Sequence, residues 1–201
     1  MARVTPPFRV TTMAITIRRA APADVAELHE LAARTFGLAN PPGTRQSDIN
    51  AFIGEHLARE SFAAYLADPA RIVLLAEQDG TAVGYAMLVG GPISDPELAA
   101  TVRSAPNGAA HAIELSKFYV AAESHGSGTA ATLMAATLEE AAATGAGICW
   151  LGVNQRNERA AKFYTKHGFA IVGTKRFPVG EVWHDDHVRA RPLTDVARPG
   201  R

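Results

Sequence analysis

Residues 111–153 constrain the fold most, because their periodicity changes from strand to helix and back to strand. His111 to Val120 predicts a strand, and a glycine-containing turn then leads into an amphipathic helix. Gly145 and Gly147 end that helix, and Ile148 to Val153 predicts a short buried strand. A strand-helix-strand unit joins two parallel strands by a right-handed crossover. The segment therefore predicts an α/β fold with helices flanking a mixed, twisted sheet.

The residues before position 111 predict a strand, helices and a hairpin. Ile15 to Arg19 is typical of a strand, and the Ala21-Pro22 step opens a helix that Gly37 interrupts. Ser47 or Asp48 is expected to cap a second helical region. Strands at 71–77 and 83–89 flank an Asp79-Gly80 turn, and 90–110 predicts a long loop near a substrate site, with a short helix from Asp95.

The residues after position 153 predict one helix and a closing hairpin. Asn157 to His167 has helical spacing and ends at Gly168. Strands are expected at Phe169 to Phe177 and at Asp186 to Leu193, with a loop from Pro178 to Asp185 between them.

Length and composition indicate one globular domain. We expect one folded domain over 14–194, a disordered N-terminal extension over 1–13 and a tail over 195–201. Twenty basic and twenty acidic residues give no net charge, which argues against charge-driven binding to nucleic acid or anionic membranes. The single cysteine, Cys149, lies in an apolar run and favours a reducing cytoplasm, and no apolar stretch has membrane-spanning length.

The segment His125 to Ala130 lies where a predicted strand turns into a helix. Small residues there allow several backbone N–H groups to converge on an anion such as a phosphate. The same glycines also fit a purely structural turn. The segment does not match a Walker loop, because the Lys-Ser/Thr pair is missing. It does not match a dinucleotide-binding fingerprint either, because the third glycine is missing.

Two ordered motifs resemble the GNAT N-acetyltransferases. The run Glu114 to Val120 followed by His125 to Ala130 is similar to motif A, with His125 in place of the usual Gln or Arg. Residues 150–169, which include Asn157 and Tyr164, are similar to motif B. The resemblance implies a single-domain GNAT fold with splayed parallel strands at an acetyl-coenzyme A site. It assigns cofactor contacts to Phe118, Tyr119, Val120, His125, Gly126, Ser127, Gly128, Thr129, Ala130, Asn157 and Tyr164.

Within that family, residues 150–177 resemble bacterial spermidine/spermine acetyltransferases, which implies a small-molecule polyamine acceptor. Acidic residues at 181, 185 and 186, with Asp95 and Glu97, could attract a polyamine, although loop carboxylates are more often only solvated. A protein amine, an aminoglycoside or another small amine remains an alternative acceptor. The family also includes homodimers. A non-catalytic acyl-CoA sensor and a generic phosphate-binding protein are the alternative classes.

The expected chemistry needs a base and an acid. An amine with a pKa of about 10.4 is only about one part in 2,500 neutral at pH 7, so freeing its lone pair costs about 4.6 kcal/mol. By resemblance Tyr164 is the general acid for the leaving thiolate, although its spacing also fits a core aromatic. Glu114 is a candidate general base, or else a surface carboxylate. Asn157 contacts the cofactor by resemblance, and its position also fits a helix cap.

Two other chemistries are disfavoured by the sequence. The run His184-Asp185-Asp186-His187 alternates faces in a strand, so its side chains cannot easily converge on one metal ion, and we expect no metal site. Cys149 is expected to be buried without a base, which disfavours an acetyl-cysteine. Direct transfer from acetyl-CoA to the amine is therefore preferred.

Overall fold

The computed structural model describes residues 14–39, 44–105, 111–179 and 182–193. The proposed extension over 1–13, the tail over 195–201 and Glu181 lie outside these ranges. Seven strands form one sheet in the order β1-β2-β3-β4-β5-β7-β6. Their bounds are β1 Ile15–Arg19, β2 Arg71–Gln78, β3 Thr81–Val89, β4 Ala112–Val120, β5 Ile148–Asn154, β6 Ala170–Val179 and β7 Val182–Pro192.

In the described ranges six α-helices accompany the sheet, and α5 makes the predicted crossover between β4 and β5. Only β4 and β5 pair in parallel, while every other neighbouring pair is antiparallel. The mixed α/β sheet expected from residues 111–153 is therefore confirmed. The helices are α1 Val25–Ala39, α2 Gln46–His56, α3 Arg59–Ala67, α4 Pro96–Arg103, α5 Thr129–Ala143 and α6 Glu158–Lys166.

Apolar side chains cover both faces of the sheet. On one face, α5 and α6 pack over β2 to β5 in a cluster that includes Leu133, Met134 and Phe169. On the other face, α1 to α3 cover β2 to β4, and α4 covers β5 to β7 through Val102 and Trp150. No helix of the described residues has the length and apolarity needed to cross a bilayer.

The closing hairpin is longer than the sequence indicated. The predicted Pro178–Asp185 loop is wrong, because β6 continues to Val179 and β7 already begins at Val182. Lys175 stands opposite Asp186 and Arg176 opposite Asp185, so complementary charges stabilise the extended ladder. These cross-strand pairs are not visible in local composition. A proline is tolerated there because β6 is the edge strand.

Two helix boundaries also differ from the sequence interpretation. Helix α1 continues through Gly37 to Ala39, since one internal glycine costs only about 1 kcal/mol and the helix still buries its apolar face. The cap of α2 is Arg45 rather than Ser47 or Asp48. Asp48 instead accepts a hydrogen bond from Arg45 Nε at 3.0 Å, in the first turn where a negative charge is favourable. Asp95 does cap α4, as expected.

Tyr85 provides a stability prediction. Its side chain is completely buried against Phe62 and Tyr119, and its hydroxyl has no hydrogen-bond partner among the described residues. Tyr85→Phe removes an unsatisfied polar group without orphaning another, so we expect the free energy of unfolding to rise by about 1 kcal/mol. Urea denaturation measures this change. A decrease of similar size would mean that the hydroxyl is hydrogen-bonded in solution.

Candidate active site

The site is built where the two parallel strands separate. β4 and β5 pair only at Ala112–Ile148, Ile113–Cys149 and Glu114–Trp150. Both strands then continue without pairing, β4 to Val120 and β5 to Asn154. The β5-facing edge of β4 beyond Glu114 is therefore open to hydrogen-bond an extended ligand, in the manner of an added strand.

A cleft of about 160 Å³ lies against this open edge. Its walls come from β4, the loop before α5, the first turn of α5, the first two turns of α6 and one residue of α1. The lining residues are Thr35, Phe118, Tyr119, Val120, His125, Ala130, Asn157, Arg159, Ala160, Phe163 and Tyr164. The sequence assigned seven of these residues to cofactor contacts, so the cleft brings both motifs together.

The loop before α5 presents backbone donors at one end of the cleft. Gly126 and Gly128 have φ values of +85° and +93°, which side chains rarely adopt. The N–H groups of Gly126, Gly128 and Ala130 make no hydrogen bond to the described residues. They sit at the positive end of the α5 dipole, so the loop offers a site for a phosphate-like anion.

Three other loop residues maintain this conformation. His125 Nε2 lies 3.1 Å from the Val120 carbonyl oxygen, which ties the loop to the end of β4. Ser127 Oγ donates to the Ser124 carbonyl at 2.7 Å and lies 2.7 Å from Thr129 Oγ1. Thr129 is fully buried. The structure therefore gives the Ser127 and Thr129 side chains internal contacts, and leaves anion contact to the backbone.

Gly128→Ala tests the loop, and Gly145→Ala is its matched control. Both glycines flank α5 with positive φ, and an added methyl group meets no atom within 4 Å at either position. We expect each substitution to reduce the free energy of unfolding by about 1 kcal/mol. Only Gly128→Ala is expected to weaken coenzyme A binding, measured by calorimetry, because only Gly128 belongs to the anion-binding loop. Equal affinities in the two variants would contradict this assignment.

Tyr164 lines the cleft from α6. Its ring centroid is 6.4 Å from that of Phe118 and 5.8 Å from that of Phe169, in edge-to-face contacts. The hydroxyl makes no hydrogen bond to the described residues. Burial raises the pKa of Tyr164 well above the usual tyrosine value, with smaller contributions from nearby Tyr119 and Cys149. The side chain therefore keeps its proton at neutral pH.

Asn157 caps α6, as its sequence position suggested. Its Oδ1 accepts a hydrogen bond from Ala160 N at 3.0 Å. The same residue lines the cleft. Asn157 thus fixes the start of the helix that carries Tyr164.

Glu114 lies at the point where β4 and β5 part, and it is partly buried rather than a surface carboxylate. It belongs to the opposite face of β4 from Ile113 and Leu115, whose side chains enter the core under α5. Burial raises the pKa of Glu114, while Lys175, Lys117 and Arg71 oppose that shift. Its carboxylate makes no hydrogen bond to the described residues.

Four residues of the cleft wall were not among the expected cofactor contacts: Thr35, Arg159, Ala160 and Phe163. Thr35 reaches the cleft only because α1 packs across β4, and nothing local marks it. Arg159 is exposed beside Asn157, and a basic residue in the first turn of this helix was the available signal for an anionic ligand. Cys149 is fully buried with a pKa raised to about 12, which suits a core residue rather than a nucleophile.

Comparisons with known proteins identify the family and the fold. The Acetyltransferase (GNAT) family profile matches residues 26–169. An uncharacterized N-acetyltransferase of Mycobacterium tuberculosis is 44% identical over 170 residues, covering 85% of this chain and 98% of that protein. The fold is similar to PaiA N-acetyltransferase from Thermoplasma acidophilum in complex with coenzyme A (TM-score 0.70, 21% identity, 90% of this chain and 99% of that chain). It is also similar to YncA from Salmonella typhimurium with acetyl-CoA (TM-score 0.59, 20% identity, 93% and 98%).

Proposed function

This chain belongs to the GNAT family of acetyltransferases, and we propose from that premise that it transfers acetyl directly from acetyl-CoA to a primary amine. The family and its curated relatives make it an N-acetyltransferase that uses acetyl-CoA. The observation that carries direct transfer is the position of Glu114 and Tyr164 around the separation of β4 and β5.

The described residues fit coenzyme A. The free N–H groups at Gly126, Gly128 and Ala130 suit its pyrophosphate, and Arg159 adds a positive charge at the cleft. The open edge of β4 at Phe118 to Val120 suits the amides of the pantetheine arm. Support comes from the loop N–H groups, which have no hydrogen-bond partner among the described residues and need one.

Acetyl-CoA supplies an activated thioester, whose C–S bond breaks as a new C–N bond forms. Glu114 accepts a proton from the acceptor ammonium, directly or through water, and so frees the nitrogen lone pair. Tyr164 donates its hydroxyl proton to the departing thiolate sulfur, and the second proton that the new amide nitrogen releases restores the tyrosine hydroxyl. The raised pKa of Glu114 improves its match to the amine, and the raised pKa of Tyr164 keeps its proton available.

The acceptor itself is a separate question. The sequence resemblance predicts a polyamine. The name of the M. tuberculosis relative specifies an N-acetyltransferase but no acceptor. Polyamine specificity therefore stays a prediction. Of the carboxylates expected to attract a polyamine, Asp186 is buried opposite Lys175 and Asp95 caps α4, which leaves Asp185 and Glu97 exposed among the described residues.

Thiol release from acetyl-CoA tests the proposed function. The acceptor panel contains spermidine, spermine, aminoglycosides, amino acids and peptides, and mass spectrometry identifies the acetylated product. We expect release that depends on an amine and yields an N-acetyl compound. Tight coenzyme A binding with no release from any amine would instead indicate an acyl-CoA sensor.

A further inference from the structure

A bulge in β4 places a carboxylate, Glu114, and an ammonium group, Lys117, on the same face of the sheet. Met87 pairs with Lys117 and Leu88 with Leu115, so Ser116 is an extra residue in β4. In a regular strand, Glu114 and Lys117 would point to opposite faces. The bulge instead returns Lys117 to the Glu114 face, in agreement with Leu115 and Phe118 sharing the core under α5.

Lys117 is a partly buried cation that forms no ion pair with another described residue. Its Nζ lies 5.4 Å from the Tyr65 ring centroid, and no described carboxylate lies within 4 Å of it. Its pKa is lowered to about 8, mainly by burial; nearby Glu114 opposes this shift and Arg71 adds to it. A partly desolvated ammonium of this kind is stabilised by an anionic partner.

The two other cations near Glu114 have carboxylates beside them. Arg71 lies 4.6 Å from the same Tyr65 ring and donates from Nε to Asp68 Oδ2 at 3.0 Å. Lys175 crosses Gly152, where any side chain would collide with it, and stands opposite Asp186 in the hairpin ladder. Among the described residues around Glu114, Lys117 is therefore the cation left for a ligand.

We propose that the acceptor is an amine that also carries an anionic group, a carboxylate or a phosphate, which Lys117 binds while Glu114 faces the amine. This inference rests on the proposed function, because it assigns the acceptor for the same reaction. Both side chains are partly buried on the face of the sheet that also carries the α1–α3 and α4 clusters. A polyamine has only ammonium groups, and its second ammonium would repel Lys117.

Matched acceptor pairs test this assignment. Each amino acid is compared with its C-terminal amide, and phosphoethanolamine is compared with ethanolamine, so that the two pairs separate carboxylate from phosphate. Spermidine is included as the polyamine. We expect the anionic member of a pair to have kcat/KM about 10- to 100-fold higher, mainly through a lower KM. The amine of an amino-acid amide loses its proton more readily than that of the amino acid. Amine reactivity therefore favours the amide, so a higher kcat/KM for the amino acid would have to come from its carboxylate.

Three lysine substitutions complete the test. Lys117→Met is expected to remove the preference for the anionic member, whereas Lys117→Arg retains the charge and is expected to preserve it. Lys162→Met, at an exposed position on α6, is expected to leave the preference unchanged. Acetylation of amides and spermidine with no gain from an anionic group would overturn this inference and leave the proposed function intact. If no amine led to thiol release from acetyl-CoA, both this inference and the proposed function would be overturned.

Discussion

Tyr164→Phe is expected to lower kcat by about 100-fold or more, because general acid catalysis typically contributes factors of this size. The substitution removes one hydroxyl and keeps the ring contacts with Phe118 and Phe169. Coenzyme A affinity and the unfolding midpoint are therefore expected to stay close to those of the wild type. Steady-state thiol release and calorimetry measure both quantities.

Tyr85→Phe is the matched control for this hydroxyl deletion. Tyr85 is another buried tyrosine with a raised pKa, and it lies in the core under α1 to α3. Its substitution is expected to leave kcat unchanged. A Tyr164→Phe enzyme with nearly full kcat would remove this side chain from the catalytic step and return it to the role of a core aromatic.

Glu114→Gln is expected to lower kcat/KM at pH 7 by about 100-fold. In the wild type, kcat/KM should fall as the pH drops through the raised pKa of Glu114, since the protonated carboxyl cannot accept the amine proton. The variant lacks this dependence and gains activity only as the acceptor amine loses its own proton. The difference between the two enzymes should therefore narrow at high pH.

A stability measurement distinguishes the loss of kcat/KM in Glu114→Gln from a loss caused by unfolding. Burial disfavours the charged form of Glu114, so the neutral glutamine is expected to fold at least as stably as the wild type. If kcat/KM of Glu114→Gln were lower than that of the wild type by the same factor from pH 6 to pH 10, Glu114 would not be the general base. Such a result would indicate that Glu114 only positions the acceptor.

Local sequence patterns were sufficient to predict the helices and strands that form the cleft. The strand-turn-helix periodicity before Ala130 and the capping position of Asn157 both depend on neighbours close in sequence. These two features could be predicted because short-range contacts determine them. The separation of β4 and β5 was expected only from the motifs that resemble GNAT proteins.

Long-range contacts explain what the sequence could not predict. The length of the closing hairpin depends on cross-strand pairs such as Lys175 with Asp186. Thr35 joins the cleft through packing of α1 over β4. The bulge at Ser116, which places Lys117 on the same face as Glu114, becomes visible only when the β3 register is known.

A single-turnover reaction with labelled acetyl-CoA tests the central claim most directly. Enzyme in excess over the label is mixed with the amine panel, and both the protein and the small-molecule products are analysed. Direct transfer predicts that the label appears in an N-acetyl amine without passing through the protein, and that Tyr164→Phe slows its appearance. Label that first accumulates covalently on the enzyme, or that is never transferred to any amine, would contradict the account.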